Sequence, residues 1–192
     1  MTLLSSLVHI VSLFDKLEIP YVVGGSLASS IWGKERATQD ADVAVLMTLS
    51  QFSELKDLIE LPYITTTVEI EAALQDLQPF ASGQILNTDT LDKIDIFLLE
   101  SNEYNLARLS RAITAETLPG VELRFSSPED VVITKLRWFV LGNQISDRQW
   151  TDIVQVLEMQ SEDLDQEYLD RWTRFFGIHE LFVEAKRQAL TL

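Results

Sequence analysis

Two aspartates in a β-type segment, Asp40 and Asp42, constrain this chain more than any other feature. Side chains alternate between the two faces of a strand, so both carboxylates project from one face while Ala41, Val43 and Val45 project from the other. Aspartate is a poor strand former, and like charges on one face repel each other unless a cation lies between them. Two interpretations fit this pattern: a solvated turn ahead of the strand, or a site for a hard cation such as Mg²⁺, which prefers oxygen ligands.

A third carboxylate, Asp95, lies within residues 94–99, a run apolar enough to form a buried strand. A lone carboxylate in such a strand needs a partner. Lys93, two residues earlier on the same face, would give a simple ion pair; a metal ion shared with Asp40 and Asp42 is the other candidate. Three carboxylates from two strands would place about three negative charges around two divalent ions, a balance that suits two-metal phosphoryl transfer.

A glycine-rich turn precedes these aspartates. Gly24, Gly25 and Ser26 lie between a predicted strand over residues 21–23 and a predicted short helix over residues 27–32. Glycines let the backbone approach a ligand closely, and the amides at a helix N-terminus favour phosphate. A plain tight turn would use the same residues, so this motif alone leaves both interpretations open.

The remaining pattern predicts an α/β core followed by helices. Further strands are predicted over residues 40–46, 84–86, 94–99 and 121–125, the middle two forming a hairpin. Helices are predicted in the first 14 residues, after the capping pair Thr48 and Gln51, and over residues 67–77 and 103–113. Ser127, followed by proline and two acids, predicts the start of a long helix. We therefore expect a core over residues 1–126 and a helical part over residues 127–192, packed together as one unit.

Composition excludes several classes of function. The chain has no cysteine, which excludes a disulfide framework, a thiolate metal site and a cysteine nucleophile. Thirty acidic residues against fifteen basic give a net charge of −15, which disfavours extended DNA binding but not a substrate that arrives as a magnesium complex. No segment approaches the ~20 apolar residues of a membrane span. We expect a cytoplasmic protein that does not bind membranes.

The order of these motifs resembles the nucleotidyltransferase superfamily that includes DNA polymerase beta. The similar segments are Val23-Gly24-Gly25-Ser26, Arg36-x-Thr38-x-Asp40-x-Asp42 and Lys93-Ile94-Asp95. The middle segment is most similar to that of bacterial nucleotidyltransferases related to AbiE-type abortive-infection toxins. The resemblance implies an α/β (α+β) nucleotidyltransferase fold, with a small mixed sheet flanked by helices and further C-terminal helices packed on it.

The resemblance also implies roles for individual residues. Asp40 and Asp42 would bind two metal ions, Mg²⁺ or alternatively Mn²⁺, and Asp95 would bind the catalytic ion beside the acceptor hydroxyl. The turn would bind the triphosphate. The full set of predicted nucleotide-binding residues is Gly24, Gly25, Ser26, Arg36, Thr38 and Lys135.

The sequence around Lys135 also indicates an unusual environment for its charge. Lys135 shares a helix face with apolar side chains, where an ammonium needs an anionic partner. A phosphate or a site carboxylate would supply one; alternatively, the stem packs on the core while the charge reaches solvent. Arg148 and Asp152 are spaced i,i+4, and we interpret them as a pair on a helix surface.

The predicted function is transfer of a nucleoside monophosphate from a nucleoside triphosphate, such as ATP, to an acceptor hydroxyl with release of pyrophosphate. The acceptor is left open among a small molecule, a protein and the end of a tRNA. The alternative is a non-catalytic nucleotide-binding protein, or a regulator of the toxin–antitoxin type, on the same fold.

Overall fold

The computed structural model describes residues 3–35, 37–76 and 78–191. In this part of the chain the strands are β1 Tyr21–Val23, β2 Asp40–Val45, β3 Tyr63–Thr65, β4 Ser82–Asn87, β5 Lys93–Leu98, β6 Ile113–Leu118 and β7 Val121–Phe125. The helices are α1 Leu3–Lys16, α2 Gly25–Trp32, α3 Leu49–Leu58, α4 Thr67–Gln75, α5 Glu103–Ser110, α6 Pro128–Leu141, α7 Asp147–Met159, α8 Gln166–Phe175 and α9 His179–Ala189.

The chain folds as two compact units. The first comprises Met1–Gly24 and Thr38–Phe125, and the second comprises Gly25–Ala37 and Ser126–Leu192. The sequence pattern does not indicate that the segment carrying α2 joins the C-terminal helices. The domain division expected from sequence, 1–126 and 127–192, stays a prediction.

The first unit is built on a mixed sheet, in which the described strands follow the order β3-β4-β5-β2-β1-β7-β6. β2 pairs in parallel with β5, and β1 pairs in parallel with β7. The other neighbouring strands pair antiparallel, including the predicted hairpin of β4 and β5. This mixed sheet flanked by helices confirms the predicted fold class.

The core of the first unit lies on one face of the central strands. Along β5, Ile94, Ile96 and Leu98 are buried and alternate with half-buried residues. The helix α1 packs against β2 and β7 and buries Leu7 and Phe14. Each such side chain stabilises the fold by roughly 1.5–3 kcal/mol when it leaves water. Because these buried apolar side chains occupy one face, the polar residues of β2 and β5 project from the other.

Gly83 of β4 is a position where α4 comes close to the sheet. A Cβ atom at residue 83 would lie 2.1 Å from Cγ1 of Ile70 and 2.8 Å from Oγ1 of Thr66, so even a methyl group overlaps existing atoms. We expect Gly83→Ala to lower the free energy of unfolding by about 1–3 kcal/mol, measured by urea denaturation. Gly142→Ala is the control, because its Cβ would meet nothing closer than 3.4 Å. Equal effects of the two substitutions would contradict this packing.

In the second unit, α2 is tied to the C-terminal helices by specific contacts. Nε1 of Trp32 donates to the carbonyl of Ser126 at 2.7 Å, and Nε2 of Gln160 donates to the carbonyl of Trp32 at 3.0 Å. Gly33 follows α2, and a Cβ there would lie 3.3 Å from Cγ2 of Val156. These contacts explain why the segment around α2 belongs with the helices that follow residue 126.

Two strands of the structure, β3 and β6, were not predicted from the sequence. The helix expected over residues 103–113 ends at Ser110, and Ile113 begins β6 instead. β6 is an edge strand without fully buried residues, so it lacks the alternation that signals a strand. β3 has three residues, too few for a periodic pattern. Within the described ranges, no helix is both long and apolar enough to cross a membrane.

Candidate active site

The carboxylates of Asp40 and Asp42 project from one face of β2, as predicted. Both residues are half-buried, whereas Ala41 between them and Val43 after them are buried. β5 pairs with β2 in a register that places Asp95 beside Asp42 and Lys93 beside Asp40. Because side chains alternate along a strand, all four charged groups share a face of two neighbouring strands. We call these four residues the carboxylate cluster.

Lys93 lies among these carboxylates. Its Nζ is 2.8 Å from Oδ2 of Asp95 and 3.8 Å from Oδ2 of Asp40. The hydrogen bond with Asp95 is the main cause that raises the pKa of Lys93 above its ordinary value; burial opposes this, and the negative charges of the three aspartates add to it. The Asp95 side chain is 15% exposed, against 43% for Asp40, so Asp95 has the greater need of a counter-charge. The ion pair considered for Asp95 is therefore present.

The donor set of the cluster suits a hard divalent cation, because its ligands are carboxylate oxygens. Among the described residues, no three acidic or histidine side chains converge closely enough to hold one ion. The ammonium of Lys93 lies against Asp95 and Asp40 instead. That ammonium is a stand-in cation, and it shows that the cluster accommodates positive charge. The chemistry of these donors fits a metal ion, while their spacing forms no three-ligand site, and their role as metal ligands stays a prediction.

Two further side chains lie next to the cluster. The Thr38 hydroxyl donates to Asp40, whose Oδ1 is at 3.0 Å and whose carbonyl is at 3.1 Å. Thr38 was predicted to bind nucleotide, and the structure places it as a partner that orients Asp40. Gln84 of β4 lies directly beside Asp95 and is exposed. Sequence reasoning missed Gln84, because its position depends on the antiparallel pairing of β4 with β5.

The glycine turn follows β1 directly. The amide of Gly24 donates to the carbonyl of Asp42 at 2.8 Å, which ties the turn to β2. Gly25 has a φ of +53°, in the left-handed region that favours glycine over residues with a side chain. α2 begins at Gly25, two residues earlier than predicted, and Ser26 lies in its first turn. Amides in the first turn of a helix point toward its N-terminus and favour an anion.

Lys135 lies in the second unit and is paired with Asp152. Its Nζ donates to Oδ2 of Asp152 at 2.8 Å, and the two side chains are only 10% and 6% exposed. The hydroxyl of Ser29 lies 3.4 Å from the same oxygen and 3.2 Å from the carbonyl of Ser26. Of the two alternatives for Lys135, the anionic partner is observed. The interpretation of Arg148 and Asp152 as a surface pair is wrong, because Asp152 faces the interior.

The predicted site residues thus fall into separate groups. Asp40, Asp42 and Asp95 lie together on the sheet of the first unit, with Thr38 beside them. Gly25, Ser26 and Lys135 belong to the second unit. Arg36, which was predicted to bind nucleotide, and Leu77, the predicted end of α4, lie outside the described residues.

Solved structures similar to this chain have the nucleotidyltransferase fold. The solution structure of the antibiotic-resistance factor ANT(2'')-Ia is 14% identical, with a TM-score of 0.55, and the match covers 93% of this chain and 94% of that one. The crystal structure of ANT(2'')-Ia in complex with adenylyl-2''-tobramycin is 14% identical, with a TM-score of 0.55 and coverage of 91% and 97%. No protein-family model matches the sequence, and no curated protein matches it. The arrangement of strands and helices, shared over nearly the whole length of both chains, shows that this chain has the nucleotidyltransferase fold.

Proposed function

We propose that this protein is a metal-dependent nucleotidyltransferase that moves a nucleoside monophosphate from a nucleoside triphosphate to an acceptor hydroxyl. The observation that carries the proposal is the register that aligns Asp95 with Asp42, beside Asp40, on one face of two neighbouring strands. Carboxylates in this position repel one another and weaken a strand, so their joint presence favours a cation-binding role. The nucleotidyltransferase fold supports the same reaction class.

In the proposed reaction, the acceptor oxygen forms a bond to the α-phosphorus and the bond from that phosphorus to the β-phosphate oxygen breaks. Pyrophosphate leaves with the bonding electrons, and the hydroxyl proton is released. Asp40, Asp42 and Asp95 would hold two Mg²⁺ ions, or Mn²⁺. Such ions offset phosphate charge and make the acceptor hydroxyl easier to deprotonate. Asp95, which is more buried than Asp40, would complete the site on the acceptor side.

The triphosphate is proposed to bind at the glycine turn. The left-handed backbone of Gly25 and the first-turn amides of α2 supply a surface that suits β- and γ-phosphate oxygens. Lys135 is proposed as a source of positive charge, held in a fixed position by Asp152. Arg36 and Gly24 complete the proposed set, and Thr38 would act through Asp40.

The sequence motif and the net charge support a more specific proposal for the family and the acceptor. The sequence Arg36-x-Thr38-x-Asp40-x-Asp42 favours kinship with bacterial AbiE-type toxin-related enzymes. The use of a nucleoside triphosphate such as ATP favours a cytoplasmic reaction. For the acceptor, a net charge of −15 favours a cationic small molecule over a nucleic acid. ANT(2'')-Ia is solved with adenylyl-2''-tobramycin, so aminoglycosides are the first acceptors to test.

The experiment that tests the proposal incubates the purified protein with each α-labelled nucleoside triphosphate, Mg²⁺ and one acceptor class at a time: aminoglycosides, proteins or tRNA. We expect label on one class, an equal release of pyrophosphate, and loss of both in EDTA. Nucleotide binding without a labelled product for any donor and acceptor, including a whole-cell extract, would contradict the transfer reaction. That outcome would favour the non-catalytic regulator.

A further inference from the structure

Lys93 is a charged side chain for which the proposed reaction has no use. It projects from the strand face that carries the three aspartates, with Asp40 as its partner across β2 and β5. Its Nζ contacts Oδ2 of Asp95 at 2.8 Å and lies 3.8 Å from Oδ2 of Asp40. The Lys93 side chain is 38% exposed, so the ammonium can move into solvent without becoming a buried, uncompensated charge.

We propose, on the basis of the metal-dependent function proposed above, that Lys93 is an internal counter-ion that competes with divalent metal for the carboxylate cluster. In the metal-free protein Lys93 neutralises Asp95, and it leaves Asp95 when a divalent cation binds. The physical reason is charge. At a distance of about 4 Å, an ammonium and a divalent ion repel each other more strongly than two carboxylates do, so the two cations cannot share the site. Both cations would also use the carboxylate of Asp95.

The competition has two consequences for the protein. Without metal, Lys93 reduces the repulsion among three carboxylates on one strand face, so the sheet does not depend on an ion for its stability. With metal, the ion pair between Lys93 and Asp95 must be broken, so the free protein binds a divalent cation more weakly than three carboxylates alone would. The nucleoside triphosphate then becomes the main carrier of the metal into the site.

The test compares Mn²⁺ binding to the nucleotide-free protein and to Lys93→Met, which keeps most of the stem and removes the charge. We expect isothermal titration calorimetry to show a Kd for Mn²⁺ about tenfold or more lower in Lys93→Met than in the wild type. In EDTA the Tm of Lys93→Met should lie below that of the wild type, and Mn²⁺ should raise it by more. Lys93→Arg, which keeps the charge, should bind Mn²⁺ like the wild type.

Lys56 supplies a matched control in the same unit. It forms an ion pair with Glu71 away from the cluster, so Lys56→Met should leave the Kd for Mn²⁺ unchanged. An equal or higher Kd in Lys93→Met, with Mn²⁺ still bound, would overturn the inference and leave the proposed function standing. Absence of Mn²⁺ binding in every variant, with and without nucleotide, would overturn the proposed function and the inference together. If Lys93→Met fails to fold, Lys93→Gln replaces it in the same titration.

Discussion

Replacing Asp42 with asparagine is expected to abolish nucleotidyl transfer and to leave the fold intact. Asp42 lies beside Asp95 in the sheet register and is proposed to contact both metal ions. Asparagine keeps the shape of the side chain and removes its charge. Since changes to residues that only support a metal ligand cost about 10–100-fold, loss of a ligand should lower the initial rate by more than about 100-fold. The rate of label transfer to the acceptor measures this.

The thermal stability of the same variant separates a metal ligand from a structural residue. Asp42→Asn removes one of three like charges from a strand face, so its Tm should stay unchanged or rise. Asp57→Asn is the matched control: the same chemical change in the same unit, at an exposed position of α3. The control should keep both activity and Tm. A large fall in the Tm of Asp42→Asn alone would mark Asp42 as structural and contradict its proposed role.

The shared face of Asp40 and Asp42 could be predicted from sequence because it is a local property. Alternation along a strand follows from backbone geometry over three residues, whatever lies on the neighbouring strands. The helix starts at Thr48 and Ser127 could be predicted for the same reason, and both capping hydrogen bonds are present. A cap depends on residues within one turn of itself.

The environment of Asp95 could be predicted only as a pair of alternatives. The sequence places a carboxylate in an apolar strand and a lysine two residues before it. Which oxygen the lysine contacts depends on the parallel register of β2 and β5, which joins residues more than fifty positions apart. No local pattern specifies that register, so the position of Lys93 between Asp95 and Asp40 required the structure.

Asp152 shows how a local rule can mislead. The i,i+4 spacing with Arg148 indicates a surface pair, but such pairs contribute only about 0.2–0.5 kcal/mol and do not determine which face is buried. A stronger signal was present in the sequence, because Asp152 shares a helix face with Val156, which is buried. Lys135 required an anion on its own apolar face, and the packing of α6 on α7 supplies Asp152.

Replacing Asp152 with asparagine is therefore expected to destabilise the second unit strongly. Both members of the Lys135–Asp152 pair are buried, and Ser29 lies against the same carboxylate. Loss of the carboxylate charge leaves the Lys135 ammonium buried without a counter-ion, which costs about 3–5 kcal/mol in comparable pairs. Urea denaturation should show a lower midpoint with little change in slope.

The double variant Lys135→Met, Asp152→Leu tests whether this loss comes from charge or from packing. Apolar replacements of similar volume remove both buried charges, so the double variant should regain most of the stability lost by Asp152→Asn. Glu184→Gln is the exposed control: hydrogen bonds from Arg187 and Gln188 lower the pKa of Glu184 to about 2, yet this site is open to solvent. Its urea midpoint should stay unchanged, because water screens the pair. If the double variant is as unstable as Asp152→Asn, the pair stabilises the second unit through packing. An uncompensated buried charge is then not the cause of the lost stability.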